Sequence, residues 1–484
     1  MRNDITRDTF DRAKQFSRVL LQQGRVQLDA DFNEQVSILL DYLRVLTVDL
    51  IGPSAGPEKA WGFALLCSDN DINALNLPAA ETKNLVDRRK NEKVLIGPGR
   101  YYVDGLLAQN NDFTHFRPKV IKDVLDAKTV VVYLDVWERH ITALEDDSIR
   151  EKALNGPDTA TRAKIEWSVR TRHIDDDFRG PDLPGAIQPN ASEWLPQKFA
   201  AWREKQWANR PLLRAGIEQL EESDDPCVSS PESVYRGLEN QLYRVEIHRP
   251  GPGAVRGVTA PTNVATFKWS RDNGSVVASW LADHEGAMKV AGVRDHARGF
   301  AAGQWVELSD DQYDLDGTPG TLVQLKDTEA GSLTIDPDTA APGSVLSHDN
   351  YKGGNPKVRR WDQEETEEIA FTAGAIAIEY DTWFTLEDGV QIQFPAPAAT
   401  VIGVPEHEFS SGDYWLIPAR TATRDIEWPR ETSDKTKRKA RPPHGIRHHY
   451  GLLGVLAGEG DVFGFNDLRS YFTHVPLLQV PWSP

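Results

Sequence analysis

The run VVVYLDV at residues 130–136 constrains the fold more than any other feature of the chain. β-branched and aromatic side chains at successive positions, over the usual length of one strand, predict a buried strand and so a β domain with a packed core. The run passes directly into a polar stretch holding Glu138, Arg139, His140, Glu145, Asp146, Asp147, Arg150 and Glu151. Opposite charges at this density serve either an active site or a network that fixes a loop against its own domain or a partner. The rest of the chain favours the network.

At 484 residues the chain has room for about three domains. Its 14 Trp and 30 Pro point to short strands, tight turns and aromatic-lined contacts rather than long helical bundles. The formal charge of −18 argues against a general affinity for nucleic acid or anionic lipid, which requires a basic face. The basic run Lys435, Lys437, Arg438, Lys439, Arg441 lies between prolines and reads as a solvated loop. Cys67 and Cys227 are far apart, which disfavours a disulfide framework or a thiolate zinc site. No apolar stretch approaches the roughly 20 residues of a membrane span, and MRNDITRDTF has no apolar signal core. The expectation is assembly in the cytoplasm, with release only by lysis as part of a larger object.

Along the chain, Asp31 and Glu34 form a capping-box pattern. Phe32, Val36, Leu39, Leu40, Leu43, Leu46 and Leu50 follow at helical spacing until Gly52-Pro53, predicting an amphipathic helix over 32–50. Its apolar face needs a surface to dock on, either its own β domain or a neighbouring subunit. Residues 94–108 read as a hairpin or meander with turns at 97–99 and 104–105. Strands at 130–136 and 164–174 continue that domain. RGPDLPG (179–185) reads as a linker, and 190–222 as a helical insertion built on Trp194, Phe199, Trp202, Trp207, Leu212, Leu213, Ile217 and Leu220, ending in EESDDP. In 240–248, Leu242, Arg244, Glu246 and His248 share one face of a strand, opposite Tyr243, Val245 and Ile247. Residues 264–270 and 275–281 read as paired strands around the Asn273-Gly274 turn. Even spacing over 300–337 suggests a small barrel or sandwich. The expected class is mainly β (α+β), with several small antiparallel sandwich or barrel modules. The expected division is a docking arm and helix at 1–60, a first β domain at 61–175, the insertion at 176–232, a barrel-like domain at 233–345 and a C-terminal β domain at 346–484.

Three clusters invite chemistry. Asp135, Glu138, Glu145 and Glu151 could include a glycosidase pair, which needs two carboxyls about 5–10 Å apart across a cleft with separated pKa values. Interleaved Arg139, Arg150 and Arg162 make ion pairing the simpler account. Asp310, Asp311, Asp314, Asp316 and Gly317 suggest a calcium loop, but the register that aligns Gly317 puts Val323 where a bidentate Glu is required, so an Asx-capped turn fits better. His444, His448 and His449 follow two prolines and a glycine, a poor scaffold for zinc. No metal, cofactor or catalytic residue is expected.

The segments RDTFDRAKQFSRVLLQQGRVQLDADFNEQ (7–35), GRYYVDG (99–105), YLDVWERHITALEDDSIREKALNGPDTATR (133–162), ENQLYRVEIHRPG (239–251), ATFKWSRDNGSVV (265–277) and SGDYWLIPARTATRDIEWP (411–429) together resemble a bacterial family. Its members look like products of gene clusters for extracellular contractile injection systems, phage-tail-like particles with sheath, inner tube and baseplate. The resemblance implies a structural, non-catalytic subunit at the baseplate or its outer extension or cage. It implies baseplate, sheath or tube proteins as partners in a symmetric multi-copy assembly, and supplies no catalytic residues. Phe10, Phe16, Phe32, Leu39, Leu43, Trp137, Glu138 and Arg139 are the expected interface residues. Removal of residues 1–50 is expected to leave a folded remainder. Two rival readings are a glycan- or receptor-binding module at the particle tip, using Trp137 or Trp415, and a polysaccharide-degrading enzyme using the 135–151 carboxylates.

Overall fold

The 130–136 run lies within the strand Thr129–Ile141, at the interior of a four-stranded antiparallel sheet ordered Val462–Asp467, His449–Glu459, Thr129–Ile141, Arg162–His173. A computed structural model describes residues 1–116, 118–127, 129–174, 178, 191–208, 210–218, 234–292, 299–365, 371–397, 409–460 and 462–473. The segment RGPDLPG, Leu220, Cys227 and the EESDDP turn lie outside them.

Alternate residues of Thr129–Ile141 fill two different cores, which explains the unbroken apolar run. Val130, Val132, Leu134 and Val136 pack with Tyr101, Val103, Leu106 and Ala108, while Val131 and Tyr133 pack under Leu195, Phe199 and Trp202 of the helix Ala191–Ala208. GLLGVLAG (451–458), within the stretch 346–484 expected to form a C-terminal β domain, supplies the neighbouring strand, with Leu452 opposite Tyr133 and Val455 opposite Val131.

The fold is mainly β, as expected. A six-stranded sheet holding Gln241–Arg249, Thr266–Ser270 and Tyr414–Arg420 packs on a three-stranded one, burying Tyr243, Val245, Ile247, Phe267, Phe394 and Trp415 between them. Six further strands close a barrel: Val277–His284, Ala287–Ala291, Ser332–Asp336, Thr321–Glu329, Trp305–Ser309 and Lys357–Trp361.

Two local expectations are corrected. Residues 264–270 and 275–281 are not a hairpin: Thr266–Ser270 belongs to the six-stranded sheet and Val277–His284 to the barrel. Asn273 and Gly274 do take the positive φ that their sequence announced, at 52° and 64°, but the turn hands the chain from one sheet to another. Leu213 and Ile217, read as helical, lie on strand backbone; Arg214–Ile217 pairs with Val390–Gln393 and Leu213 is fully buried.

The N-terminal helix runs Asp29–Ile51 and is capped differently from the sequence pattern. Leu28 is the N-cap, without a side-chain bond. Asp29 accepts from the Thr6 amide and hydroxyl, and Glu34 accepts from Thr9 at 2.6 Å. The arm before the helix therefore uses Asp29 together with Glu34, one of the two carboxylates of the expected capping box. The helix rests on the hairpin turn Asp104-Gly105, both residues at positive φ. A Cβ at residue 105 would lie 2.6 Å from Arg44 Cα, so only glycine permits this approach. Gly105→Ala is expected to lift the helix from the body, read as faster amide exchange over residues 29–51 with the strand Thr129–Ile141 unaffected.

Candidate functional site

The polar face of Gln241–Arg249 sets the character of the site. Its apolar partners enter the sandwich core, so Arg244, Glu246 and His248 are forced onto the other side, where the barrel covers them. All three are buried, as are Lys268, Glu307, Lys357 and Arg359 from adjoining strands. Charges taken out of water at this cost persist only when each is paired.

The pairing is continuous. Lys268 Nζ lies 2.5 Å from Glu307 and 3.4 Å from Glu246, joining the sandwich to the barrel. The same ammonium sits 4.3 Å from the ring centroid of Trp361, whose indole N–H donates to Glu307 at 3.0 Å. Glu246 also receives Arg244 at 2.6 Å and Arg2 at 2.6 Å. Arg244 stacks on Tyr414 and donates to the Met1 carbonyl, and Asn273 donates to the carbonyls of Met1 and Asn3. The first residues of the chain are thus wedged into the junction, and removing residues 1–50 would take Arg2 away from Glu246. Burial alone would raise Glu246 and Glu307, but the cations around each outweigh it and hold both carboxyls well below their usual range. A cavity of about 30 Å³ bounded by Arg2, Glu246, Lys268 and Glu307 has room for a water molecule.

The stretch 138–151, the end of the strand Thr129–Ile141 and the loop that follows it, meets the same junction from the third side. Arg139 pairs with Asp311 at 2.6 Å, and Lys357 Nζ reaches Glu145 at 2.8 Å, Asp314 at 2.8 Å and Asp311 at 3.3 Å. Glu145, Asp311 and Asp314 are close enough together to surround a cation. The Lys357 ammonium stands among them in that role. The loop read as a calcium candidate is the short helix Asp311–Asp316, capped by Asp310 accepting from Gln312 and Tyr313, so the Asx-cap reading fits.

The four carboxylates considered for glycoside chemistry diverge. Asp135 binds Arg170 and His448, both at 2.7 Å; Glu138 binds Arg44 of the helix at 2.8 Å; Glu145 binds Lys357; Glu151 caps the turn at Ala153. The histidines diverge too. His448 meets Asp135, His449 meets Asp104, and His444 accepts from the Leu416 amide. Burial pushes His444 down to about 4 and His140 to about 3, so both are neutral.

Of the expected interface residues, Phe16, Phe32, Leu39 and Leu43 are exposed and Phe10 is half-buried. Trp137 is 2% exposed, Arg139 is half-buried and paired with Asp311, and Trp415 is fully buried. In the basic run the lysines are exposed, whereas Arg438 folds back on Asp425. Sequence reasoning passed over Arg2, Lys268 and Lys357. For Lys268 and Lys357 the available signal was a lysine inside a short apolar strand, FKW and KVRRW; for Arg2 there was none.

Two outcomes follow. Lys357→Met leaves three carboxylates facing one another and is expected to cost about 3–5 kcal/mol, the usual penalty for orphaning buried charge, read by denaturant unfolding. For Glu145, burial works upward but Lys357 prevails and sets the carboxyl at about 2, below the ordinary 4.5. A depressed carboxylate stabilises fully above its unfolded pKa, so this contribution is present above pH 4.5 and is lost as pH falls towards 2. Glu145→Gln is expected to reduce stability at pH 7 and to flatten the acid limb in that window.

Comparison with curated proteins found no match, and comparison with solved structures found none. Over residues 1–180 and 198–465 the sequence matches DUF6519, a family of unknown function, and the chain belongs to that family.

Proposed function

We propose that the protein is a non-catalytic structural subunit of a contractile injection particle, placed at the baseplate or its outer extension and anchored there by residues 7–50. One observation carries the reading: the helix Asp29–Ile51 is fixed to a firmly cross-braced body yet turns most of its large apolar side chains to solvent. Contiguous exposed apolar surface of this extent marks an interaction site. The 138–151 loop adds support, because its acids and bases brace the barrel against the sheet, the role of a scaffold. In the described residues no helix is long and apolar enough to cross a membrane, and partners in this reading are other particle proteins rather than lipid.

The test cannot be a deletion of residues 1–50, since that removes Arg2 from Glu246. Full-length tagged chain in the producing bacterium, wild type against Leu43→Asp with Leu46→Asp, avoids the difficulty because both side chains are exposed. Wild type is expected to co-sediment with contractile particles, and the variant to stay in the soluble fraction with an unchanged circular dichroism spectrum. Wild-type protein absent from purified particles, or a polysaccharide cleaved by wild type but not by Glu138→Gln, would overturn the reading.

A further inference from the structure

The exposed face of the helix has a period of its own. Phe32, Val36, Leu39, Leu43, Leu46 and Leu50 follow one another at intervals of 4, 3, 4, 3 and 4 residues, the a and d positions of a coiled-coil heptad. All six are exposed, from 39% at Leu46 to 68% at Leu50. Of the residues that hold the helix to its arm and body, Ala30, Glu34, Ile38, Asp41 and Arg44 fall on the b, c and f positions, away from that seam; Asp29, bound to Thr6, lies one heptad before Val36 at the very start of the helix, and Gln35, bound to the Val19 amide, lies on its flank. Docking therefore leaves the six apolar side chains from Phe32 to Leu50 uncovered along a helix about 35 Å long.

We propose that this seam is filled by the same helix of a second copy of the chain, in a coiled coil that joins the bodies. Three observations choose this occupant. A seam repeating every 3.5 residues is covered in full only by another helix of the same period, and a copy supplies that match by construction. The flanking e and g positions are Asn33, Leu40 and Thr47, and Gln35, Tyr42 and Asp49. A copy thus meets no charge along the flanks until Asp49, an unusual allowance in a chain of net charge −18 whose surfaces otherwise repel one another. The third observation is area. With Leu40 and Tyr42 the seam offers eight exposed apolar side chains, at roughly 100 Å² apiece on the order of 800 Å², which is what one partner contributes to a standard stable interface. Lipid is a poor fit: the helix carries five acidic residues and a single basic one, Arg44, already bound to Glu138.

The inference deepens the assembly reading and rests on it for its purpose, since self-pairing through the helix is one way to build a multi-copy particle component. It is tested on the purified full-length chain, away from any particle. Sedimentation velocity at micromolar concentration is expected to show wild type as an oligomer, and Leu39→Asp with Leu43→Asp as a monomer at the same concentration. A second variant guards against loss of folding. Leu39→Cys, near the middle of the seam and combined with Cys227→Ser, is expected to give a covalent dimer on mild oxidation, and Asp41→Cys in the same background, on the body-facing side, is expected not to. A monomeric wild type up to 100-fold higher concentration, or an oligomer unchanged by the seam variant, would overturn self-pairing. A monomer that still enters particles through residues 7–50 would leave the assembly reading standing. An oligomer that never enters particles would do the reverse.

Discussion

The buried ion network between sandwich and barrel fixes the relation of every other part. Glu246 and Glu307 lie on strands of different sheets and share Lys268, while Lys357 and Arg139 tie the barrel and the 138–151 loop to Asp311 and Asp314. Desolvating these groups is costly and their mutual attraction only offsets that cost, so the network adds little net stability over an apolar junction. It adds definition. An apolar interface tolerates sliding by a few ångströms, whereas a displaced carboxylate in this junction loses its cation with no water to replace it. Arg2 extends the same lock to the root of the N-terminal arm, so the arm leaves the body at a determined place and direction.

That lock bears on chemistry as well. A general acid and base must keep one carboxyl protonated near neutrality and leave the other free. Glu145, Glu246, Glu307 and Asp314 are all driven the opposite way, deep into the ionised range, by cations that touch them. Groups held so firmly in one protonation state, with their lone pairs already accepting, suit bracing and do not suit proton transfer.

The strands and their burial were readable from the sequence because a period of two survives in any context: 130–136, 241–249 and the barrel strands over 305–336 lie where alternation or apolar runs placed them. Pairing was not readable. Nothing local in GLLGVLAG says that its partner is more than 300 residues earlier, and the Asn273-Gly274 turn specified its dihedrals without specifying that the next strand joins another sheet. The site was legible only in half. The charged loop announced itself by density, and the helix by its leucines. Arg2, which completes the junction, stands in a stretch with no periodic signal, and its role arises entirely from tertiary proximity to Glu246.

The N-terminal helix inverts the usual arrangement, in which a surface helix turns its apolar stripe inward. It is held by Arg44 to Glu138, Thr9 to Glu34, Arg12 to Asp41 and the Gln35 side chain to the Val19 amide, with Ala30 and Ile38 as its only buried residues. The hydrophobic effect alone would roll it by half a turn. Rolling would break each of these polar contacts and drive Arg44 away from the close approach that Gly105 permits. The outward face is therefore the product of specific polar restraints acting against apolar burial. Such restraints have a physical rationale when the outward apolar surface is itself destined to be covered, because the free energy withheld in the isolated chain is then recovered on assembly.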